Sequence, residues 1–293
     1  MTDSVIARHI SQATGIPFEN PRQRAVGGGC INTTYELDDG QRRFFVKTNH
    51  SSRLDMFEAE FAGLQEIAQT DAIRTPRPVC CGEVDSLAFL VMEYIPFGGA
   101  GRHDSITALG KNLAAMHRST QANYGWFRDN TIGSTPQVNQ LASDWIEFWR
   151  DRRLGFQLDL AARNGYRGKL QQKGEVLLSK MAAFFPRQPS ASLLHGDLWS
   201  GNYAIDATGE PVIFDPAVYY GDRETDIAMT ELFGGFPEAF YAAYKEAYPL
   251  DEGYAVRKTL YNLYHILNHL NLFGGGYGGQ AERMIEKLLS EVN

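Results

Sequence analysis

One stretch of the chain combines side chains that could carry out phosphoryl transfer. Asp197 is followed five residues later by Asn202, and Asp215 stands after the next short apolar run. This order of a loop Asp, an Asn and a second Asp is typical of enzymes that transfer a phosphoryl group from a nucleotide. We therefore predict that Asp197 is the general base for an attacking hydroxyl. The oxygens of Asn202 and Asp215 suit a hard cation and are predicted to bind Mg²⁺.

Two residues near this stretch are predicted to support it rather than to react. His195 stands two residues before Asp197, where it would brace the loop. Asp226 ends an acidic segment, GDRETD, that opens a predicted helix. Acids in a first helical turn cap the turn and complement the helix dipole. Asp226 could also hold the backbone of the catalytic loop.

A glycine run at residues 27–32 could cover the phosphates of a nucleotide. Glycines let backbone N–H groups approach phosphate oxygens without a Cβ in the way. The run matches neither the G-x-G-x-x-G spacing of protein kinases nor the Walker motif, and alone it is typical of a flexible turn. Its position ahead of a strand that ends in a lysine favours the phosphate interpretation. The predicted contacts are Gly28, Gly29, Cys30, Ile31 and Asn32.

Lys47 ends the strand segment FFVK and could contact the α- and β-phosphates. In isolation, a lysine at a strand end is more often a solvated surface charge. The helix that follows offers Glu58 and Glu60 as carboxylates that could orient it. Glu60 borders the apolar face marked by Phe61 and Leu64, so we favour Glu60 as the partner.

The segment Met92-Glu93-Tyr94-Ile95 ends the last N-terminal strand. Its backbone could hydrogen-bond the edge of adenine, or it could be a buried strand that leads into a turn. Substrate contacts are predicted at Trp199, Tyr219 and Asn268. Trp199 lies between Asp197 and Asn202, where a large aromatic ring could be core or could wall a substrate site.

The remaining pattern predicts an α+β chain with two lobes. The nucleotide-binding lobe, residues 1–95, is strand-rich, with β-structure over 22–48 and 88–95 and one main helix over 53–69. Pro96-Phe97-Gly98-Gly99 marks the boundary. The lobe of residues 96–293 is predicted to be mostly helical. It is predicted to carry the catalytic and substrate-binding residues. Its predicted helices span 104–118, 140–164, 170–184, 222–233, 237–247 and 254–272.

The composition excludes several classes of protein. The net charge of −7 argues against a nucleic-acid binder, which usually carries a basic surface. No apolar run reaches the length of a membrane span, and the first residues have no signal-like apolar segment. Three cysteines form no disulfide framework. We therefore expect a cytoplasmic protein that binds neither membrane nor nucleic acid.

Together these residues resemble the fructosamine kinase (ketosamine-3-kinase) family. That family belongs to the aminoglycoside-phosphotransferase-like branch of the protein-kinase-like fold. The resemblance implies ATP and Mg²⁺ as cofactors, with Lys47 and Glu60 as the phosphate-binding pair. It also implies phosphorylation of a ketoamine sugar at O3, after which the unstable product releases its amine. The matching stretches are GGGCINTTYEL, FFVKTN, MFEAE, FLVMEYI, LLHGDLWSGN, IFDPAVYYGDRETDIAM and LFGGFP.

Three questions stay open at this point. The substrate could be a small ketoamine, a glycated protein, or a different hydroxyl compound such as an aminoglycoside, choline or homoserine. A kinase-like binding protein without turnover is disfavoured, because Lys47, Asp197, Asn202 and Asp215 are all present. Many members of the family carry a Cys where Cys30 stands. Cys30 is either a small loop residue or a thiol whose oxidation inhibits nucleotide binding and links an otherwise monomeric chain into a dimer.

Overall fold

A sheet of five antiparallel strands precedes a mostly helical region. The structure is a computed structural model that describes residues 2–27, 31–99 and 103–292. The strand order in the sheet is β1-β2-β3-β5-β4. The five strands are β1 Arg22–Ala25, β2 Thr33–Asp38, β3 Arg43–His50, β4 Pro78–Val84 and β5 Leu87–Glu93.

The two faces of this sheet are covered by different helices. Side chains alternate along a strand, so β5 sends Phe89 to one face and Leu90 to the other. Phe89 belongs to the apolar cluster that contains Ile10 of α1 (Thr2–Thr14). Leu90 belongs to the cluster that contains Leu64 of α2 (Leu54–Ala68). Both faces are therefore covered by apolar side chains. Helix α2 packs against β4 and β5, on the face of the sheet to which Lys47 of β3 also points.

The second region is built on one large apolar core of helices and short strands. Close packing within it depends on small residues at some contacts. A Cβ at Gly110 of α3 would lie 2.4 Å from the carbonyl oxygen of Phe240 in α8, so only glycine fits there. Within the described residues, no helix is both long enough and apolar enough to cross a membrane. The helices are α3 His103–Met116, α4 Trp145–Trp149, α5 Phe156–Arg163, α6 Lys169–Ser179, α7 Glu224–Thr230, α8 Glu238–Ala247, α9 Tyr254–Phe273 and α10 Tyr277–Glu291.

Short strands in this region carry the loops that matter for function. Strands β10 and β11 form a hairpin, and a second hairpin consists of β7 and β8. A three-stranded sheet has the order β12-β9-β6. The bounds are β6 Thr120–Gln121, β7 Asn130–Ile132, β8 Thr135–Gln137, β9 Ala191–Leu194, β10 Tyr203–Ile205, β11 Pro211–Ile213 and β12 Tyr219–Gly221.

Some predicted elements differ from the structure. The predicted helix 140–164 begins only at Trp145, where the Asp144 side chain caps it by accepting the Glu147 N–H at 2.8 Å. A π-helical turn, Arg150–Gly155, then separates α4 from α5. The edge strand β4 was not predicted; it opens with Pro78, whose missing N–H is tolerated at an edge. Helix α10 was not predicted.

Candidate active site

The β10–β11 hairpin brings the two predicted metal ligands together. Asn202 stands immediately before β10, and Asp215 follows shortly after β11. At the open end of the hairpin, the Phe214 N–H donates to the Asn202 carbonyl oxygen at 3.0 Å. Asp215 has a φ of 58°, in the left-handed region that few non-glycine residues adopt. Residues thirteen positions apart in sequence are therefore held side by side.

A buried carboxylate fixes the loop that carries Asp197. Asp226 accepts the backbone N–H of His195 at 2.7 Å and that of Gly196 at 2.9 Å. The Nε2 atom of His117 lies 3.1 Å from the same carboxylate. Burial alone would raise the pKa of Asp226, but hydrogen bonds from His117 and from the Gly196 N–H hold it below its ordinary value. The carboxylate therefore stays ionised beneath the loop.

His195 joins the loop to the strand end that precedes Asp215. The Asp197 N–H points to Nδ1 of His195 at 3.3 Å, so the ring proton resides on Nε2. Nε2 then donates to the carbonyl oxygen of Phe214 at 2.9 Å. The ring is fully buried, and burial lowers its pKa. His195 thus lies where the sequence placed it, behind the loop and inside the protein.

Glycine is required at the turn of this loop. Gly196 has a φ of +81°, and a Cβ there would lie 2.1 Å from the carbonyl oxygen of Ala217. The Ala217 N–H also donates to the His195 carbonyl oxygen at 2.8 Å. The backbone is therefore in close contact on both sides of the turn, which leaves Asp197 little freedom.

Lys47 lies between two carboxylates. Its Nζ is 2.6 Å from Oε1 of Glu60 and forms a hydrogen bond to Oδ1 of Asp215. Burial alone would lower the pKa of Lys47, but Asp215 and Glu60 raise it above its ordinary value. The alternative partner, Glu58, pairs instead with Arg128 at 3.2 Å. The structure thus brings together the Lys, the helix Glu and the second Asp.

Asp197 has an unusual protonation equilibrium for a carboxylate. Burial among protein atoms and the nearby charges of Asp215 and Asp226 raise its pKa to about 7, against a small opposing effect of Asn202. The Nδ2 atom of Asn202 donates to the Asp197 carbonyl oxygen at 2.8 Å. A carboxylate with a pKa near neutrality accepts a proton from a substrate hydroxyl more readily than an ordinary carboxylate does.

The donor atoms of Asn202 and Asp215 fit a magnesium ion. The Asn202 nitrogen is committed to Asp197, which leaves its amide oxygen for a cation. Across residues 2–27, 31–99 and 103–292, no cluster of three or more His, Cys, Asp or Glu side chains could hold a metal. Magnesium commonly binds through one or two protein oxygens and completes its shell with water and phosphate oxygens. The pair therefore suits a metal that arrives with a nucleotide.

One cleft of about 680 Å³, large enough for a nucleotide, is lined by Lys47, Glu60, Asp197, Asn202 and Asp215. On the sheet side it is lined by Ile31, Asn32 and residues 92–95. Asn49 fixes the end of the glycine run, since its Nδ2 donates to the Ile31 carbonyl at 3.0 Å and to Oδ1 of Asn32 at 2.8 Å. Gly28, Gly29 and Cys30 lie outside the described residues, and their roles stay predictions.

The strand segment 92–95 offers only part of its backbone to a base. The Glu93 N–H donates to the Arg77 carbonyl at 2.8 Å, so it is already used. The Glu93 carboxylate lies 3.1 Å from Arg74. Met92, Tyr94 and Ile95 line the cleft beside it. An adenine edge would therefore have to use main-chain groups other than the Glu93 N–H.

The predicted substrate residues fall into two groups. Trp199 is 38% exposed, lines the cleft and lies so close to Gly201 that a Cβ there would be 2.4 Å from the ring. Tyr219 and Asn268 are buried and do not line the cleft. Tyr219 packs under the Arg153 guanidinium at 4.1 Å, and Asn268 Oδ1 accepts from Gln157. Their prediction as substrate contacts is corrected, because both side chains are used in the core.

Several cleft residues were not found from the sequence. Asn130 and Thr131 of the β7 strand line the cleft opposite the sheet. Phe97 stacks on Phe214 at a centroid distance of 5.4 Å across the boundary between sheet and helices. The β7–β8 hairpin carries no sequence motif, and its approach to the cleft depends on contacts between distant segments. The aromatic pair could not be recognised either, since its members are far apart in sequence.

Comparison with known proteins identifies relatives along the whole chain. The family model described as fructosamine kinase matches residues 2–291. A probable ketoamine kinase of Synechocystis is 52% identical over 285 residues, which is 97% of this chain and 96% of that protein. The chloroplastic protein-ribulosamine 3-kinase of Arabidopsis thaliana is 47% identical over 271 residues, covering 90% of this chain and 82% of the relative.

Solved structures of similar proteins can be superposed on nearly the whole chain. A crystal structure assigned to a fructosamine-3-kinase from Haemophilus somnus has a TM-score of 0.90 and 29% identity, covering 99% of this chain and 98% of that one. An aminoglycoside phosphotransferase in complex with AMP-PNP and hygromycin B has a TM-score of 0.64 at 14% identity, covering 98% of both chains. The second likeness shows the fold alone, which is the bilobal protein-kinase-like fold that the sequence predicted.

Proposed function

Since the chain belongs to the fructosamine kinase family, we propose that it transfers the γ-phosphoryl group of ATP to a sugar hydroxyl of ketoamines. The observation that carries this proposal is the single cleft in which Lys47, Glu60 and Asp215 meet Asp197 and Asn202. Relatives named ketoamine kinase and protein-ribulosamine 3-kinase support the substrate class. We propose O3 as the acceptor, after which the product decomposes and frees the amine.

The phosphate-binding part of the mechanism rests on Lys47. Its ammonium stays charged because two carboxylates raise its pKa. Glu60 of α2 forms an ion pair with this ammonium. Asp215, one of the two proposed metal ligands, forms a second ion pair with it. A nucleotide would meet a cation that is already positioned, so little reorganisation is needed when it binds. Mg²⁺, held by Asn202 and Asp215, would neutralise charge on the transferring phosphates.

Asp197 acts on the acceptor. Its carboxylate orients the ketoamine hydroxyl and takes its proton as the hydroxyl oxygen forms a bond to the γ-phosphorus. The bond from that phosphorus to the bridging oxygen breaks, and its electron pair leaves with ADP. The loop beneath Asp197 is held by Asp226 through two backbone hydrogen bonds. Positioning therefore contributes at least as much as basicity to this step.

Trp199 is proposed to wall the acceptor side of the cleft. The ring is exposed at the cleft, and Trp199 stands two residues after Asp197. A flat indole face suits the apolar side of a sugar or its attached amine. Both small ketoamines and glycated proteins are proposed substrates, within the reducing cytoplasm that the free Cys80 and Cys81 suit.

A substrate panel tests this proposal. Purified protein with ATP and Mg²⁺ would be offered a small fructosamine, a ribulosamine, an aminoglycoside, choline and homoserine, with release of ADP as the readout. We expect turnover of the two ketoamines, at least about 100-fold faster in kcat/KM than of the other three compounds. A faster reaction with any of those three would contradict the ketoamine assignment.

A further inference from the structure

The hairpin that carries Asn202 and Asp215 is held as a unit at its closed end. Its turn is organised by Asp206, which is buried. The Oδ1 atom of Asp206 accepts the N–H of Thr208 at 2.8 Å and that of Glu210 at 2.9 Å. Because the two strands are short and paired, a displacement of this turn would move both residues at the open end.

One arginine connects this turn to the sheet. In the loop between α2 and β4, Arg74 forms an ion pair with Oδ2 of Asp206 and lies 3.4 Å from Oε2 of Glu210. Its other terminal nitrogen is 3.1 Å from Oε1 of Glu93, the last residue of β5. The Arg74 carbonyl also accepts the N–H of Ile213 at 3.0 Å. A single cation thus contacts three carboxylates from two different parts of the fold.

We propose that Arg74 is a positioning residue that sets the separation between two sides of the cleft. The base side is the one where the adenine base would bind, and the phosphate side is the one where the phosphates would bind. Glu93 belongs to the strand end that lines the base side, and Asp206 belongs to the hairpin that carries the metal ligands. The inference rests on the proposed function, since it presumes that ATP spans these two sides.

The charges explain why the side chain has this role. With Arg74 in place, Glu93, Asp206 and Glu210 are drawn toward one cation. Without it, three carboxylates would face one another, and one of them is buried. The interaction between the two parts would change from attraction to repulsion. The backbone hydrogen bonds from Ile213 to Arg74 and from Ala207 to Pro96 would remain. The fold would therefore persist while the separation changes.

Arg77 offers a matched control in the same loop. Its side chain is exposed. Its backbone N–H donates to Oε2 of Glu93 at 3.3 Å, and its carbonyl accepts the Glu93 N–H. Both contacts survive Arg77→Met, so this variant removes an arginine from the same loop without removing the ion pairs of Arg74.

The test compares two ligands by calorimetry in the presence of Mg²⁺. Adenosine contacts only the base side, whereas ATP spans both sides. We expect Arg74→Met to raise the Kd of ATP about 10-fold and to change the Kd of adenosine by less than about 2-fold. Arg77→Met should leave both values within the same about 2-fold range. Arg74→Lys should lie between, because an ammonium keeps the charge but reaches fewer carboxylates.

Two results would overturn the proposal. One is an ATP affinity in Arg74→Met equal to that in Arg77→Met. The other is an equal loss for ATP and adenosine, which would mean that only the base site is distorted. If Arg74→Met does not fold, Arg74→Lys decides, since an unchanged ATP affinity in that variant contradicts the role. Binding is measured without turnover, so inactivity toward ketoamines would reject the proposed substrate and leave this test intact.

Discussion

Asp226 and Asp197 are carboxylates of one catalytic region with opposite pKa shifts. Asp226 is buried and accepts hydrogen bonds from two backbone N–H groups and a histidine, so its pKa is lowered. Asp197 is also surrounded by protein, but it faces other carboxylates with one weak amide contact, and its pKa is raised to about 7. Hydrogen bonds from protein donors thus mark Asp226 as the structural carboxylate. Their scarcity fits Asp197, the reactive carboxylate of our proposal.

The largest effect is expected at the reactive carboxylate. Asp197→Asn keeps the shape and removes the proton acceptor, so kcat should fall by about 1000-fold. Steady-state release of ADP with a ketoamine measures this change. The Kd of ATP and the thermal midpoint should stay close to those of the wild type, because Asp197 bears no fold-supporting carboxylate contact. A residual kcat above one tenth of the wild-type value would remove Asp197 from its role.

Substitution of the structural carboxylate, Asp226, should instead reduce the stability of the fold. Asp226→Asn places an amide NH₂ against donors that need an acceptor, and it leaves buried groups unpaired. The free energy of unfolding should fall by about 3 kcal/mol, measured by urea denaturation. Under the same conditions, Asp197→Asn serves as the control and should keep its unfolding free energy. Equal stabilities of the two variants would end the distinction between these carboxylates.

The lysine partner provides a smaller, internally controlled change. Glu60→Gln weakens the orientation of Lys47, and we expect the KM for ATP to rise about 10-fold. Glu58→Gln is the matched control, since Glu58 lies on the same helix and pairs with Arg128. Its KM should remain within about 2-fold of the wild-type value. The same rise in both variants would show that the helix, and not Glu60, determines nucleotide binding.

The smallest effect concerns the pH dependence of the Asp226 contact. His117 is buried, and burial lowers its pKa below 6.5. The neutral ring uses both nitrogens, one toward Asp226 and the other toward the Tyr244 hydroxyl at 2.7 Å. The unfolded chain takes up a proton below pH 6.5 before the folded one does. This histidine therefore stabilises the fold above that pH, and the contribution is lost as the pH falls toward its folded pKa.

The wild type should lose up to about 1 kcal/mol of unfolding free energy from this group between pH 6.5 and pH 5.5. Urea denaturation at the two pH values gives the loss. The variant His117→Gln keeps a side chain that can donate to Asp226 but does not titrate in this range. It should show a smaller decrease over the same interval. An identical decrease in both proteins would assign the pH dependence to other groups.

The sequence allowed the approach of Asp197, Asn202 and Asp215 to one another and the bilobal fold to be predicted, since both depend on local signals. The spacing of Asp197, Asn202 and Asp215 reflects one loop and one hairpin. The choice of Glu60 over Glu58 followed from the apolar face of α2. The predictions for Tyr219 and Asn268 were wrong because both side chains are buried against Arg153 and Gln157, which are distant in sequence.

Long-range contacts account for what the sequence did not show. His117 meets Asp226 across 109 positions, and Arg74 meets Asp206 across 132. The side chains involved are ordinary helix and loop residues when they are viewed alone. The break between α4 and α5 was missed for a different reason, since an uninterrupted apolar periodicity does not distinguish an α-helical turn from a π-helical one.

We propose that Asp197 directs phosphoryl transfer from ATP to the O3 hydroxyl of a ketoamine. NMR of the product from a simple model fructosamine tests it most directly, because phosphorus–carbon and phosphorus–proton couplings identify the substituted carbon. We predict a phosphorylated product with the phosphorus coupled at C3, formed by the wild type and absent with Asp197→Asn. Phosphorylation at another carbon, or the same product from Asp197→Asn, would contradict the account.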